Sequence, residues 1–293
     1  MKKSIIADEI SSDLEEAFAV IHEMGFPYVE LHNVFGKSIE QLSEEEVHTV
    51  RALLKKYDLK VSDLASTVFF LCPLREGDEV RGFSDSFHAV TGTVKDHLQW
   101  LENACRTASL LECPNIRLFP FRFPENRKPP FGTKEDMMRI ADAMRMASDT
   151  AFSWPVTLVV ENCPYSHLPK GQMTLELIRM VDRNNVKLLY DPANSYRAVK
   201  ENVPEEYLGW DTVSEVRQIL PEIRHVHVKD YHYDPAVRPK PFIHVPCGEG
   251  DLDYPSVFKV LKKGAYEGAC SLEPEVSRQG AIQSMKWLKE MNL

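Results

Sequence analysis

Hydrophobic and polar positions in this chain alternate between two periods. Short aliphatic runs of strand length are each followed by a stretch whose apolar residues recur at helical spacing. The first run is SIIADEI, residues 4–10. Ser12 and Glu15 then form a capping-box pattern that opens a helix through Met24, with Leu14, Ala17, Phe18, Ile21 and Met24 on its apolar stripe. Gly25 stops that helix and Pro27 follows. The second strand is YVELHN, residues 28–33, and Ser43 with Glu46 repeats the cap ahead of Val47, Val50, Leu53, Leu54 and Tyr57. The third strand is KVSDLAST, followed by a long excursion over residues 68–92 and a helix carrying Leu98, Leu101, Cys105, Ala108 and Leu111. NIRLFPF is the fourth strand; a Pro-rich loop and a helix over 133–149 come after it.

The second half repeats the scheme. VTLVVEN is the fifth strand, a helix near 174–182 returns the chain, and VKLLYDPAN is the sixth. A short helix ending near Leu220 leads to HVHVKDY, the seventh, and to a Pro- and His-containing loop over 231–250. Pro255 suits the first turn of a helix bearing Phe258 and Leu261. GACSLEPE is the eighth strand, and a closing helix runs to Trp287 and Leu288. Eight strand–helix alternations predict a parallel sheet, and their number predicts closure as a single-domain α/β fold, a (β/α)8 TIM barrel spanning residues 1–293. Links from helix to strand are short, whereas those after strands three, four, six and seven are long. Elaboration is thus concentrated on the C-terminal face, where barrel enzymes keep their sites.

Composition narrows the partners. A formal net charge of −9 argues against a nucleic-acid surface. No apolar run approaches the roughly 20 residues of a membrane span, and MKKSIIADEI lacks the apolar core of an export signal, so a cytoplasmic protein is expected. Six cysteines (Cys72, Cys105, Cys113, Cys163, Cys247, Cys270) show no paired metal spacing and read as reduced thiols, with Cys163 close enough to Glu161 to line a site.

Four strands end in metal-binding residue types: LVVEN at Glu161, KLLYDPAN at Asp191, HVHVKD at His227 and ACSLEPE at Glu273. The intervals are 30, 36 and 46 residues, each long enough for a strand and its return helix, so the four tips converge on one barrel face. Each alone has an ordinary explanation: a strand-end Glu in a salt bridge, Asp191-Pro192 as a turn, His225 or His227 as a core histidine. Four on successive strands point to a shared ion. Carboxylates with one imidazole suit Mg²⁺, Mn²⁺ or Co²⁺, with Zn²⁺ also compatible.

These stretches, together with GEGDLDYPSVFKVLKKGAYEGACSLEPE, resemble the sugar phosphate isomerase/epimerase superfamily of xylose isomerase-like TIM barrels over nearly the whole chain. The resemblance implies a divalent metal on Glu161, Asp191, His227 and Glu273, with His227 preferred to His225 and Glu273 to Glu275. It also implies Glu161 and Glu273 as an acid–base pair acting through an enediolate, as in ketose 3-epimerases. The chain departs from those epimerases at Asn194, where they carry His, at Tyr233, where they carry Arg, and at Asp230, where they carry Glu.

Expected substrate contacts are Glu30, His32, Arg117, Asn194, Lys229 and His232, with His244 as a further acid or base and Phe69, Phe70 and Trp210 as stacking surfaces. No Gly-rich phosphate cradle is present, so an unphosphorylated sugar or polyol derivative is the expected partner, with a homo-oligomer as a further expectation. The leading expectation is a metal-dependent isomerase or epimerase. A lyase using the same enolate (a keto-inositol or dehydroshikimate-type dehydratase, or β-elimination from a 3-keto glycoside) is the alternative. An apurinic-site endonuclease and a non-catalytic binding barrel rank below both.

Overall fold

The computed structural model describes residues 1–83, 87–291 and 293. Its centre is an eight-stranded parallel sheet made of Lys2–Ile5, Tyr28–Leu31, Lys60–Leu64, Asn115–Leu118, Thr157–Glu161, Val186–Tyr190, Ile223–Val228 and Ala269–Leu272. Neighbours run in the order first, eighth, seventh, sixth, fifth, fourth, third, second. A parallel bridge between Ile6 and Glu30 joins the two ends, so the sheet rolls into the expected single-domain barrel. Nine helices among the described residues cover it: α1 Leu14–Glu23, α2 Glu44–Lys56, α3 Val94–Leu110, α4 Lys134–Ala151, α5 Gly171–Val181, α6 Pro192–Arg197, α7 Thr212–Ile219, α8 Tyr254–Lys263 and α9 Arg278–Glu290. None is long and apolar enough to cross a membrane. All six cysteines are free and buried.

Every strand is shorter than its hydrophobic run, because each run continues into the loop that builds the C-terminal face. SIIADEI leaves the sheet after Ile6 and turns through a 3-10 helix at Ala7–Glu9. The α1 cap is Asp13, which accepts the Glu16 N–H at 2.8 Å, rather than Ser12. The competing frame wins because it buries Leu14 together with Ala17, Phe18 and Ile21. The capping box at Ser43 and Glu46 forms as read, and Thr93 with Asp96 and Thr133 with Asp136 make the same device ahead of α3 and α4.

YVELHN splits after Leu31, and Asn33–Val34 folds back on Lys37–Ser38. After the seventh strand, the loop expected over 231–250 holds an antiparallel ribbon, Asp230–Tyr233 on Phe242–Val245. Its proline-rich connection masks the period-two signal. VKLLYDPAN ends at Tyr190, where Asp191 caps α6 and Pro192 occupies its first turn.

Residues 84–86 of the excursion after the third strand lie outside the described residues. Its first turn, at Phe69 with φ +67°, is held by a side chain: the buried His97 Nδ1 accepts the Phe69 N–H at 2.9 Å. Burial lowers the His97 pKa to about 4. The unfolded chain therefore binds more protons than the fold between pH 6.5 and 4. The stability this group contributes is fully present above pH 6.5 and lost as pH falls through that window, about 3 kcal/mol in all. Urea midpoints at pH 7 and pH 4.5 should separate wild type from His97→Gln, which keeps an acceptor but does not titrate; equal acid sensitivity in both would refute the assignment.

Candidate active site

The register of the sheet brings the strand-end residues together. Ser271 pairs with His227, so Glu273, two positions on, projects to the same side as His227 and Lys229. Glu161 closes the fifth strand, and Asp191 follows the sixth. One ligand-type atom from each of Glu161, Asp191, His227 and Glu273 lies within 4.8 Å of all the others. The hydrogen-bond pattern fits an ion. Asp191 Oδ2, His227 Nδ1 and Glu273 Oε2 are buried and make no well-directed hydrogen bond, only ion pairs: His227 Nδ1 and Lys229 Nζ meet Glu273 Oε2, and Lys229 Nζ meets Asp191 Oδ2. Asp191 meanwhile spends its other oxygen, Oδ1, on capping the Asn194 N–H at 2.9 Å. A cation shared by the cluster would give these poorly directed contacts a common centre.

Two cations already sit among these carboxylates. Lys229 Nζ is 2.5 Å from Glu273 Oε2, 3.3 Å from Asp191 Oδ2 and 2.9 Å from Glu275 Oε1. Burial alone would lower the Lys229 pKa, but Glu273, Glu275 and Asp191 raise it well above the ordinary value. Arg117 Nη1 spans Glu161 Oε2 at 3.1 Å and Glu273 Oε1 at 3.5 Å, while its Nε and Nη2 donate to the carbonyls of Ser66 and Ala65. Burial opposes the charge on Glu273, yet Lys229, His227 and Arg117 hold its carboxyl well below the usual range. Burial lifts Asp191 to about 7 in spite of Lys229.

A second layer orients the first. Glu30 accepts from His227 Nε2 at 2.9 Å and from His225 Nε2 at 3.0 Å, which leaves His227 Nδ1 directed at the cluster. Burial and the neighbouring Glu30 push the Asp63 carboxyl well above its ordinary value. Asn162 locks the sixth strand to the fifth: its Oδ1 accepts the Asp191 N–H, and its Nδ2 donates to the Asp191 carbonyl, both at 2.8 Å. Asn194 Nδ2 donates to Glu161 Oε1 at 3.0 Å.

Above the cluster lies a cavity of about 250 Å³. That is smaller than the roughly 300–1,000 Å³ of drug-sized sites and suits a small ligand. One wall is polar, with Arg117, Glu161, Asn194, Lys229, Glu273 and Glu275; the other is aromatic, with Phe70, Phe83, Phe87, Phe119 and Tyr165.

Of the expected contacts, Arg117, Asn194, Lys229 and His32 line this cavity, as does Cys163, whose thiol burial pushes up to about 12. Glu30 does not. It is fully buried beneath the imidazoles, which corrects its reading as a substrate contact. His232 is also corrected, because its largely exposed ring pairs with Asp251 at 3.2 Å on the outer ribbon, away from the cavity. His244 stacks on Tyr231 and faces Glu275. Phe69 belongs to the core, and Trp210 lies away from the cavity. Sequence reasoning passed over Asp8 and Glu9, which line the cavity just beyond the first strand. The rule that found Glu161 would have flagged them, had SIIADEI not been read as strand throughout. Burial, with Glu275, Glu273 and Asp8 nearby, pushes Glu9 well above the carboxylate range.

Comparison with known proteins agrees with this architecture. The model of a family described as "Xylose isomerase-like TIM barrel" matches residues 18–291. An inosose dehydratase of Clostridium tetani is 26% identical over 182 residues, covering 55% of this chain and 56% of the relative, so the match spans about half its length. Among solved structures, a D-psicose 3-epimerase with D-tagatose from Clostridium cellulolyticum H10 superposes with a TM-score of 0.72 at 13% identity, covering 99% of this chain and 97% of that one. The IOLI protein with a binding zinc atom does so at 0.70 and 17%, covering 99% and 96%. At these identities the structural matches speak for the fold.

Proposed function

The chain belongs to the xylose isomerase-like TIM barrel family, and on that premise we propose that it is a divalent-metal-dependent isomerase or epimerase of a sugar or keto-sugar derivative, working through an enediolate. The observation that carries this reading is the convergence of Glu161, Asp191, His227 and Glu273 within 4.8 Å. Those four residues would hold the ion; the carboxylate-rich set suits Mn²⁺, Co²⁺ or Mg²⁺, and Zn²⁺ is compatible with the imidazole. When bound, such an ion supplies a Lewis acid that polarises a carbonyl and stabilises charge developing on its oxygen.

The remaining work falls to side chains. Glu161 and Glu273 extend from the fifth and eighth strands, with two strands between them. They can therefore approach a planar intermediate from different sides, one carboxylate taking a proton from carbon and the other returning one. Arg117 touches both and fixes their separation. Lys229 is placed to hold a substrate oxygen, and the aromatic wall shields the reacting face from water.

A lyase is the second reading, favoured by one observation. The Lys229 ammonium lies in the cavity beside Glu273 and is able to protonate a departing hydroxide; the similarity to an inosose dehydratase points the same way. Mass-resolved product analysis of the metal-loaded protein, on a panel of free ketoses and cyclic keto-polyols, separates the two. We expect a product of unchanged mass. A product lighter by one water would transfer the assignment to the lyase, and a protein that takes up no divalent metal on reconstitution would sink both.

A further inference from the structure

A second cavity lies at the other end of the barrel. It opens at the N-terminal mouth and encloses about 670 Å³. Its outer wall carries Lys2, Arg51, Lys55, Lys60 and Arg224, against the two acids Glu112 and Glu267. This basic concavity belongs to a chain of net charge −9. None of the five cations makes an ion pair among the described residues. Lys2 Nζ sits over the Tyr28 ring, 5.0 Å from its centroid.

The inner wall is built rather than merely solvated. Asn115 is 5% exposed and lines the cavity beside Ser62. Its Nδ2 donates to the Ser62 carbonyl at 2.8 Å, which fixes the amide orientation and leaves Oδ1 buried without a partner.

Residues at this mouth of a barrel ordinarily serve stability alone, and isolated surface lysines are ordinarily just hydrated. Two features argue otherwise here. Like charges gathered around a concave wall reinforce one another's field, so the empty mouth is destabilised and an anion is drawn in. A neutral acceptor beneath them, with one amide N–H spent on the Ser62 carbonyl, suits a hydroxyl.

We propose that the N-terminal mouth is a binding site for a small polyhydroxy polyanion, a polyol bearing phosphate or carboxylate groups. The lysines and arginines take the anionic groups, and Asn115 Oδ1 accepts from a hydroxyl. The site is separate from the metal-ligand cluster and does not depend on the proposed reaction.

The test is calorimetric titration of the metal-loaded protein with fructose 1,6-bisphosphate and, separately, with galactarate, against sulfate at matched ionic strength. At least one polyol should bind saturably and more tightly as salt is lowered. The Arg51→Glu/Lys60→Glu double variant should bind it at least tenfold more weakly at unchanged turnover, and Asn115→Ser should weaken it less. Glu273→Gln should leave it intact. Which probe binds distinguishes phosphate from carboxylate. Equal affinity in the double variant, loss of binding in Glu273→Gln, or binding no stronger than that of sulfate would overturn the proposal.

Discussion

Replacing Glu273 with Gln is expected to abolish turnover, with kcat/KM falling by about three orders of magnitude or more, while the barrel stays folded. Gln keeps the shape of the side chain and removes its charge. In the wild-type site that charge is secured against burial by Lys229, His227 and Arg117. Two losses then coincide. A carboxylate that exchanges a proton with carbon is worth about 10²–10⁴ in rate, and the metal set drops from three carboxylates to two. The fold should tolerate the change, because Lys229 retains Asp191 and Glu275 as partners and Arg117 retains Glu161 and two backbone carbonyls. Metal content and turnover should be measured together. An active Glu273→Gln enzyme at full metal occupancy would remove Glu273 from the chemistry, whereas full occupancy without activity would assign it to proton transfer rather than to holding the ion.

Asp191 offers a cleaner separation of structure from metal. Its Oδ1 caps α6, a task Asn performs about as well as Asp. Its Oδ2 makes no directed hydrogen bond and faces the Lys229 ammonium at 3.3 Å. Position 191 thus serves the backbone with one oxygen and the candidate ion with the other.

The barrel was legible because its signals are local. Aliphatic runs alternate with amphipathic stretches, and a polar residue at the tip of a strand is a feature of one segment. Glu161, Asp191, His227 and Glu273 could be read for that reason. What escaped depends on contacts between distant segments. The second-strand Glu30 looked like another cavity-lining tip, yet it meets His225 and His227, 195 and 197 residues away, inside the barrel. Strand pattern says which face a residue takes but not at which depth it finds a partner. Asp230 is a similar case. In sequence it stands where epimerases carry Glu. In the fold it is buried and accepts the N–H groups of Tyr231, Gly248, Gly250 and Leu252 at 3.0–3.3 Å, anchoring the long loop after the seventh strand. Gly250 packs so closely on this carboxylate that a Cβ there would collide with it. His232 was misplaced because the ribbon carrying it was not foreseen.

Glu30 gives the second large effect. Burial would raise its pKa, but His227 and His225 hold it well below the ordinary range, so it is an anion accepting one N–H from each ring. With Gln at this position, one arm still accepts and the other can only donate. One of the two imidazoles must then shift its proton to Nδ1. If His227 yields, its metal-directed nitrogen is blocked; if His225 yields, a buried N–H is left at a nitrogen that has no partner. Metal affinity should fall about 10- to 100-fold in Glu30→Gln, the usual cost of losing a group that orients a ligand. It should recover in Glu30→Asp only as far as the shorter arm can reach both rings. Competition for Co²⁺ against a chelator, read from the visible spectrum of the bound ion, measures this without any substrate. A positioning role changes both the affinity and the band shape, whereas a purely structural role lowers the melting temperature and leaves the spectrum of the loaded protein as it was. Wild-type Co²⁺ affinity in Glu30→Gln would show that Glu30 does not set the His227 tautomer.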